Sequence, residues 1–149
     1  MYTDGPTMDG YLGLTEARAA VEAVLDEASK LPDAPIAVAV VDDYGRLVYF
    51  ARMDGCPPVV VELAINKAYT AAVALMDTLA FAERDKGWGR ELATYSDARF
   101  TYLQGGLVIY AGSGSGAPPA LLGGIGVSGR MPDEDERLAR IGLEAMKQE

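Results

Sequence analysis

PPVVVELAINKAYTAAVALM, which spans residues 57–76, is long and almost wholly apolar. Its two leading prolines suit the first turn of a helix, where a backbone N–H has no partner within the helix. Apolar residues cover most of the helical wheel, and a helix that is apolar nearly all round is usually buried. The sequence therefore predicts a buried helix over these residues.

The few polar residues of this predicted helix share one face. Glu62, Asn66 and Thr70 recur every four residues, and Lys67 and Tyr69 lie beside them. Side chains at this spacing stand one above another on a helix. We expect the stripe to face either water or a polar pocket, which makes Glu62, Asn66, Thr70 and Tyr69 candidate ligand-binding residues.

Composition and charge limit which class of protein this chain can be and which partners it can bind. The chain has 149 residues, half of them hydrophobic, and a net charge of -9. It is long enough for one domain with a real core, and its charge argues against nucleic acid and anionic membranes as partners. We expect a loose leader over residues 1–13 and a single domain over residues 14–149. The N-terminus lacks the features of a signal peptide, so we expect a cytoplasmic protein.

The chain contains no histidine and a single cysteine, Cys56. This composition excludes Ser-His-Asp and Cys-His catalysis, histidine-based zinc sites and haem held by a proximal histidine. It also excludes structural zinc and iron–sulfur clusters, and the sequence predicts no metal site. Any acid–base chemistry must come from Lys, Tyr, Asp, Glu or Cys.

The other periodic segments predict an α+β domain with an antiparallel sheet. The predicted elements are a helix from Thr15 to Leu31, a β-hairpin over residues 36–52, a short helix after Asp77, a strand within Phe100–Ala111, a glycine-containing strand over residues 120–128, and a closing helix from Pro132 to Gln148. Residues 90–99 are expected to be irregular with a helical turn, and GSGSGAPP (112–119) to be a flexible link. Asp42 and Gly45 suit the hairpin turn.

Lys67 is the first candidate catalytic residue. It suits an anion contact or a general base with a lowered pKa, or else an ion pair with Glu62 or Asp54. Arg52 and Asp54 flank the turn after the predicted hairpin, and as a pair they suit either a planar polar ligand or a salt bridge at the start of the helix.

Tyrosine supplies the remaining candidate acid. Tyr69, Tyr95, Tyr102 and Tyr110 fall near the predicted pocket elements, and a tyrosine can ligate ferric haem or act as a general acid. Tyr102 is a candidate catalytic residue on this ground, although each tyrosine also suits the core or an interface.

Glycine-rich segments supply the remaining candidates. Gly105, Gly106, Gly124 and Ser128 are candidate ligand-binding positions, because bare backbone N–H groups before a helix can bind an anion. The same glycines also suit a tight junction between strand and helix. The acidic residues 133–135 suit the N-terminal turn of the closing helix.

Four segments, taken in order, resemble the GlcG/HbpS family, also known as the haem-degrading domain family, which includes the C-terminal domain of PduO-type corrinoid adenosyltransferases. They are VVDDYGRLVYFARMDG (40–55), AINKAYTA (64–71), QGGLVI (104–109) and GGIGVSGRMPDEDERLARIGLEAM (123–146). Each is weak alone, and their order and spacing together are specific. The resemblance runs from about Leu14 to the C-terminus.

The resemblance implies a profilin-like fold, with a five-stranded antiparallel sheet flanked by helices. It also implies homo-oligomers, from dimers to octamers, and a role in haem or corrinoid binding or in haem-linked redox sensing. The chain departs from the family pattern in having no histidine, in carrying Arg130 where a glycine commonly follows GVSG, and in its GSGSGAPP loop.

Three hypotheses follow. The first is a small-ligand-binding protein with haem or another tetrapyrrole as ligand, for which the resemblance implies a haem-degrading or redox-linked activity. The second is a cofactor-free isomerase, tautomerase or hydrolase that acts on a small organic acid around Lys67 and Arg52. The third is an accessory subunit without a ligand.

Overall fold

A computed structural model describes residues 11–111 and 119–146. The described elements, in chain order, are α1 (Leu14–Ser29), β1 (Ala37–Asp42), β2 (Leu47–Arg52), α2 (Pro58–Ala74), α3 (Thr78–Trp88), a 3₁₀ turn (Leu92–Tyr95), β3 (Gly106–Tyr110), β4 (Leu121–Ser128) and α4 (Pro132–Met146). The α+β class is therefore confirmed. The predicted leader over residues 1–13 and the predicted link over 112–119 lie largely outside the described residues.

The described strands form one four-stranded antiparallel sheet in the order β2-β1-β4-β3. The fifth strand that the resemblance implies is not among them. At the β3 edge, the backbone N–H groups of Gly106 and Val108 donate to the side chains of Thr78 and Asp77, at 3.0 and 2.9 Å. Because these side chains occupy the edge donors, no further strand pairs there among the described residues.

The predicted strand over Phe100–Ala111 is too long at its start. Residues 100–105 are irregular, and β3 begins only at Gly106. The N–H of Thr101 donates to Thr70 Oγ1 at 3.0 Å, and the N–H of Leu103 donates to Thr101 Oγ1 at 3.1 Å. Side chains thus take the backbone donors that a strand would give to a neighbouring strand.

Helices cover both faces of the sheet. α1 and α4 pack together on one face, over the larger apolar cluster, and α2 packs on the other face. The larger cluster includes Val21, Val24, Val38, Ile125 and Leu138, all fully buried. The main core therefore lies between the sheet and the α1–α4 pair.

α2 lies unusually close to the sheet because only small residues separate them. Ala64, Ala68 and Ala72, one turn apart, are fully buried on the sheet-facing side. A Cβ on Gly126 of β4 would overlap with the carbonyl oxygen of Ala64. The glycines of this strand therefore let the helix backbone approach closely. Glycine within a strand indicates either such an approach or a β-bulge.

The β-hairpin is confirmed, with Ala37 of β1 opposite Arg52 of β2. Asp42 Oδ1 accepts the N–H groups of Tyr44 and Arg46, each at 2.9 Å, and Gly45 has a positive φ of 80°. Asp42 is thus the predicted turn residue, since its carboxylate satisfies the backbone donors that the turn leaves open.

Arg130 fastens the C-terminal end of α1 to the end of β4. Its guanidinium donates to the carbonyl oxygens of Ala28, Leu31 and Ala34 at 3.0, 3.2 and 2.9 Å. These are carbonyls at and beyond the last turn of a helix, where backbone acceptors lack partners.

The start of α1 differs from the prediction, which begins this helix at Thr15. The N-cap is Gly13, and its N–H donates to Glu16 Oε1.

No single helix in the described ranges is long and apolar enough to cross a membrane. Only α2 and α3 taken together, bent by 66°, pass that test by length and composition.

Candidate functional site

Lys67, in the middle of α2, is buried against the end of the sheet. Its side chain is 3% exposed, and its ammonium donates to Val127 O at 2.9 Å and to Asp135 Oδ2 at 3.1 Å. The predicted partners, Glu62 and Asp54, are therefore wrong. Asp135 belongs to the first turn of α4 and is equally buried, so this ion pair links the helices on opposite faces of the sheet.

The residues that the structure describes around Lys67 and Asp135 enclose this ion pair almost completely. Burial lowers the pKa of Lys67 against the opposing effect of Asp135, and burial raises the pKa of Asp135 against the opposing effect of Lys67. Gly105, with φ of 129°, makes room for the ammonium, since a Cβ there would lie 2.9 Å from Nζ. The backbone N–H of Arg130 donates to the other Asp135 oxygen at 3.0 Å. This arrangement gives each of the two buried charges a partner and connects α2 to the first turn of α4.

Arg52 and Asp54 lie away from Lys67. Both side chains are exposed, Arg52 at the end of β2 and Asp54 in the turn that follows. Strand β1 separates β2 from β4, whose Val127 carbonyl Lys67 contacts. Within the described ranges there is no ion pair between Arg52 and Asp54, so the predicted salt bridge between them is not formed.

The polar stripe of α2 passes from water into the protein. Glu62 is exposed, Asn66 is half-buried and Thr70 is fully buried. Thr70 Oγ1 accepts the N–H of Thr101 and donates to the carbonyl oxygen of Arg99 at 3.4 Å. The stripe therefore does not line one pocket; its inner end holds the loop before β3.

The candidate glycines pack beneath α2. A Cβ on Gly106 would overlap with Lys67 O, and a Cβ on Gly124 would overlap with Ala68 O. Ser128 is buried at the end of β4, opposite Ala37. The space beside Gly106 and Gly124 is thus filled by helix backbone, which fits the strand–helix junction.

Tyr102 belongs to a hydrogen-bond cluster around the fully buried Asp85 of α3. The hydroxyls of Tyr102 and Tyr95 donate to Asp85 Oδ2 at 2.6 and 2.7 Å, and Arg84 Nε donates to Oδ1 at 3.2 Å. Burial and the bond to Asp85 raise the pKa of Tyr102 to about 12. Burial raises the pKa of Asp85, but its three donors outweigh that effect and lower it. Tyr102 therefore keeps its proton near neutral pH and anchors the loop.

Tyr69 belongs to a second cluster, formed with Asp97 and Arg99. The Tyr69 hydroxyl donates to Asp97 Oδ2 at 2.5 Å, and Arg99 donates to both oxygens of Asp97 at 3.0 and 3.2 Å. The Arg99 guanidinium lies 4.0 Å from the centre of the Tyr69 ring. The bonds from Arg99, and next that from Tyr69, lower the pKa of Asp97 to about 2. Asp97 is thus a carboxylate whose charge is balanced by Arg99.

A surface pocket of about 470 Å³ lies beside this second cluster. Most of its lining is apolar, and the lining residues are Leu92, Ala93, Ser96, Asp97, Ala98 and Phe100. The Phe100 ring packs against the rings of Tyr95, Phe81 and Tyr69 at centroid distances of 5.1, 5.6 and 5.8 Å, so the wall that it forms is well supported. Ser96 has a left-handed φ of 54°, which is uncommon for a residue other than glycine.

The sequence predicts an irregular segment with a helical turn over residues 90–99, and it does not predict a pocket there. Asp97 and Arg99, two residues apart, lie within three residues of Tyr95, Phe100 and Tyr102. Charged and aromatic residues close together in an irregular segment were the sequence feature that could have predicted a binding site here, since loops often carry binding residues.

Comparisons with known proteins converge on one family. The family model described as haem-degrading protein HbpS-like matches residues 12–144. Protein GlcG of Escherichia coli strain K12 is 31% identical over 112 residues, which are 75% of this chain and 77% of GlcG. The structure of a double mutant of HbpS from Streptomyces reticuli matches with a TM-score of 0.78 at 28% identity. The match covers 99% of this chain and 97% of the HbpS chain. A PduOC–haem complex has a TM-score of 0.75 at 26% identity, over 93% of this chain and 99% of that chain.

Proposed function

This chain belongs to the HbpS-like haem-degrading family, and from that premise we propose that it binds a haem-like tetrapyrrole as a small-ligand-binding protein. The observation that carries the proposal is the pocket beside Phe100. Its volume of about 470 Å³ falls within the range of roughly 300–1,000 Å³ that is usual for small-molecule sites. Its mostly apolar lining suits a broad, apolar ring.

The charge around the pocket also supports this ligand class. Residues 78–103 carry four basic and four acidic side chains, although the whole chain has a net charge of -9. Arg99, between the lining residues Ala98 and Phe100, has a side chain that is 62% exposed. An arginine in this position can meet a ligand carboxylate, and the locally neutral surface repels an anionic ligand less than the rest of the chain does.

The second hypothesis, a cofactor-free enzyme acting on a small organic acid, has less support. It needs Lys67 and Arg52 in one site. Lys67 is buried against Asp135, whereas Arg52 is exposed beyond β1. The homo-oligomer, the cytoplasmic location and the haem-degrading or redox-linked activity stay predictions.

A pocket-filling variant tests the proposal. Ala98 is an exposed alanine that lines the pocket, and Ala19 is an exposed alanine of α1, so Ala98→Trp and Ala19→Trp add the same bulk at two sites. Titration with haemin, followed by its absorbance, should give saturable binding for the unchanged protein and for Ala19→Trp. We expect Ala98→Trp to weaken binding by at least about tenfold, which corresponds to about 1.4 kcal/mol.

Two results would contradict the proposal. One is the absence of saturable binding by the unchanged protein. The other is equal weakening by Ala98→Trp and Ala19→Trp, which would place the ligand elsewhere or show that the effect comes from added bulk alone. Circular dichroism of both variants would establish that the fold is retained.

A further inference from the structure

Among the residues that the structure describes, those lining the pocket beside Phe100 include none of the side chains that usually hold haem iron. Haem iron is held in proteins by histidine, cysteine thiolate, methionine or tyrosine. The lining residues are Leu92, Ala93, Ser96, Asp97, Ala98 and Phe100. The chain contains no histidine, so a second copy of the same chain could not supply one either.

The tyrosines nearest the pocket are engaged in other bonds. Ferric iron binds tyrosine as the phenolate, so a useful ligand must lose its proton easily. The hydroxyl of Tyr69 donates to Asp97, and the hydroxyls of Tyr95 and Tyr102 donate to Asp85. Burial, followed by the bond to its carboxylate, raises the pKa of Tyr69 and that of Tyr102. Both keep their protons at neutral pH.

The sulfur groups near the start of α2 are also poorly suited. Cys56 is 9% exposed in the turn before α2, and burial raises the pKa of its thiol. The thiolate is the form that binds a metal, so this shift works against ligation. Met53 accepts the N–H of Ile36 on its sulfur at 3.4 Å. Neither residue lines the pocket.

We infer that this chain holds its tetrapyrrole through contacts with the ring and its carboxylates, without a bond between iron and a protein side chain. This inference rests on the proposed function. The apolar lining and the Phe100 ring contact the macrocycle, and Arg99 contacts a carboxylate. Since the metal makes no bond to the protein, a metal-free porphyrin that has the same carboxylates binds as tightly as haem.

Parallel titrations of the full chain with haemin and with protoporphyrin IX test this inference. We expect the two dissociation constants to agree within about threefold, or about 0.7 kcal/mol. We also expect the absorption spectrum of the haemin complex to be the same in the unchanged protein and in Tyr69→Phe, Tyr102→Phe and Cys56→Ala. Tyr69→Phe and Tyr102→Phe remove a hydroxyl together with its hydrogen bond to Asp97 or Asp85, so the protoporphyrin IX affinity of each variant is the control for a change in the pocket itself.

The outcomes separate this inference from the proposed function. Haemin binding about 30-fold or more tighter than protoporphyrin IX, a difference of about 2 kcal/mol, would overturn the inference. A variant that changes the haemin spectrum while its protoporphyrin IX affinity stays unchanged would also overturn it, because the variant has then lost a bond to the iron and not the shape of the pocket. In both cases the proposed function stands. Failure of both compounds to bind would overturn the proposed function and the inference together.

Discussion

Lys67 and Asp135 lose their hydration where they meet, at the end of the sheet between α2 and α4. A lysine and an aspartate that are each 3% exposed must be compensated by each other and by hydrogen bonds. The Val127 carbonyl and the Arg130 N–H supply those bonds. At the scale of the residue, the lysine that the sequence marks most strongly for chemistry therefore lies in a buried ion pair.

We expect Lys67→Met to lower the free energy of unfolding by about 3–5 kcal/mol, because it leaves the Asp135 carboxylate buried without its partner. Urea unfolding measures this change. Lys30 forms an ion pair with Glu27 on the surface and is 70% exposed, so it provides the matched control. We expect Lys30→Met to cost at most about 1 kcal/mol.

The double variant Lys67→Met/Asp135→Leu should recover part of the loss, since both buried charges are then removed. A cost for Lys67→Met no larger than that for Lys30→Met would contradict the assignment of Lys67 to a buried pair.

At the scale of the element, the junction between α2 and β4 depends on the absence of side chains. Ala64 and Ala68 face the strand, and Gly126 leaves room for the helix backbone. Close packing of this kind tolerates little added volume, because the interior has few voids into which atoms can move.

We expect Gly126→Ala to destabilise the protein by about 1–3 kcal/mol, since its methyl group would overlap with the Ala64 carbonyl. Gly87 is the matched control, because it lies within α3 and has no heavy atom within 4 Å of an added Cβ. Gly87→Ala should stabilise the protein by up to about 1 kcal/mol, since alanine favours a helix. Thermal or urea unfolding of the two variants measures both effects, and the same sign for both would contradict this account of the junction.

The elements that the sequence predicts well are those specified by local patterns. The apolar run gives α2 to within two residues at each end, and Asp42 and Gly45 mark the hairpin turn correctly. The aromatic residues within 100–105 favour a strand, but this segment is irregular and β3 begins at Gly106. The competing hydrogen bond from Thr101 to Thr70 is a contact between distant segments, and no local pattern reports it.

The candidate site was harder to predict for the same reason. The partner of Lys67 lies 68 residues away, and the acceptor for Tyr102 lies 17 residues away. An ionisable residue in a helix can be read as a catalytic group or as half of an ion pair, and only the fold distinguishes the two. The pocket depends on how the 3₁₀ turn and Phe100 pack, which periodicity does not encode.

At the scale of the whole molecule, the closed ion pair and the open pocket lie in different places and have different roles. The Lys67–Asp135 pair joins the helices across the end of the sheet, whereas the pocket is formed by the loop after α3. Under the proposed function, the loop of residues 92–100 holds the ligand, and this loop contacts α2 through the hydrogen bond from Tyr69 to Asp97.

The most direct test of this account is a two-dimensional ¹H–¹⁵N spectrum of the protein during titration with protoporphyrin IX, whose ring shifts the resonances of nearby amides. The account predicts that the largest shift changes occur at the amides of residues 92–100. Largest changes along β4, around Ser128 or around Lys67, with residues 92–100 unaffected, would contradict it.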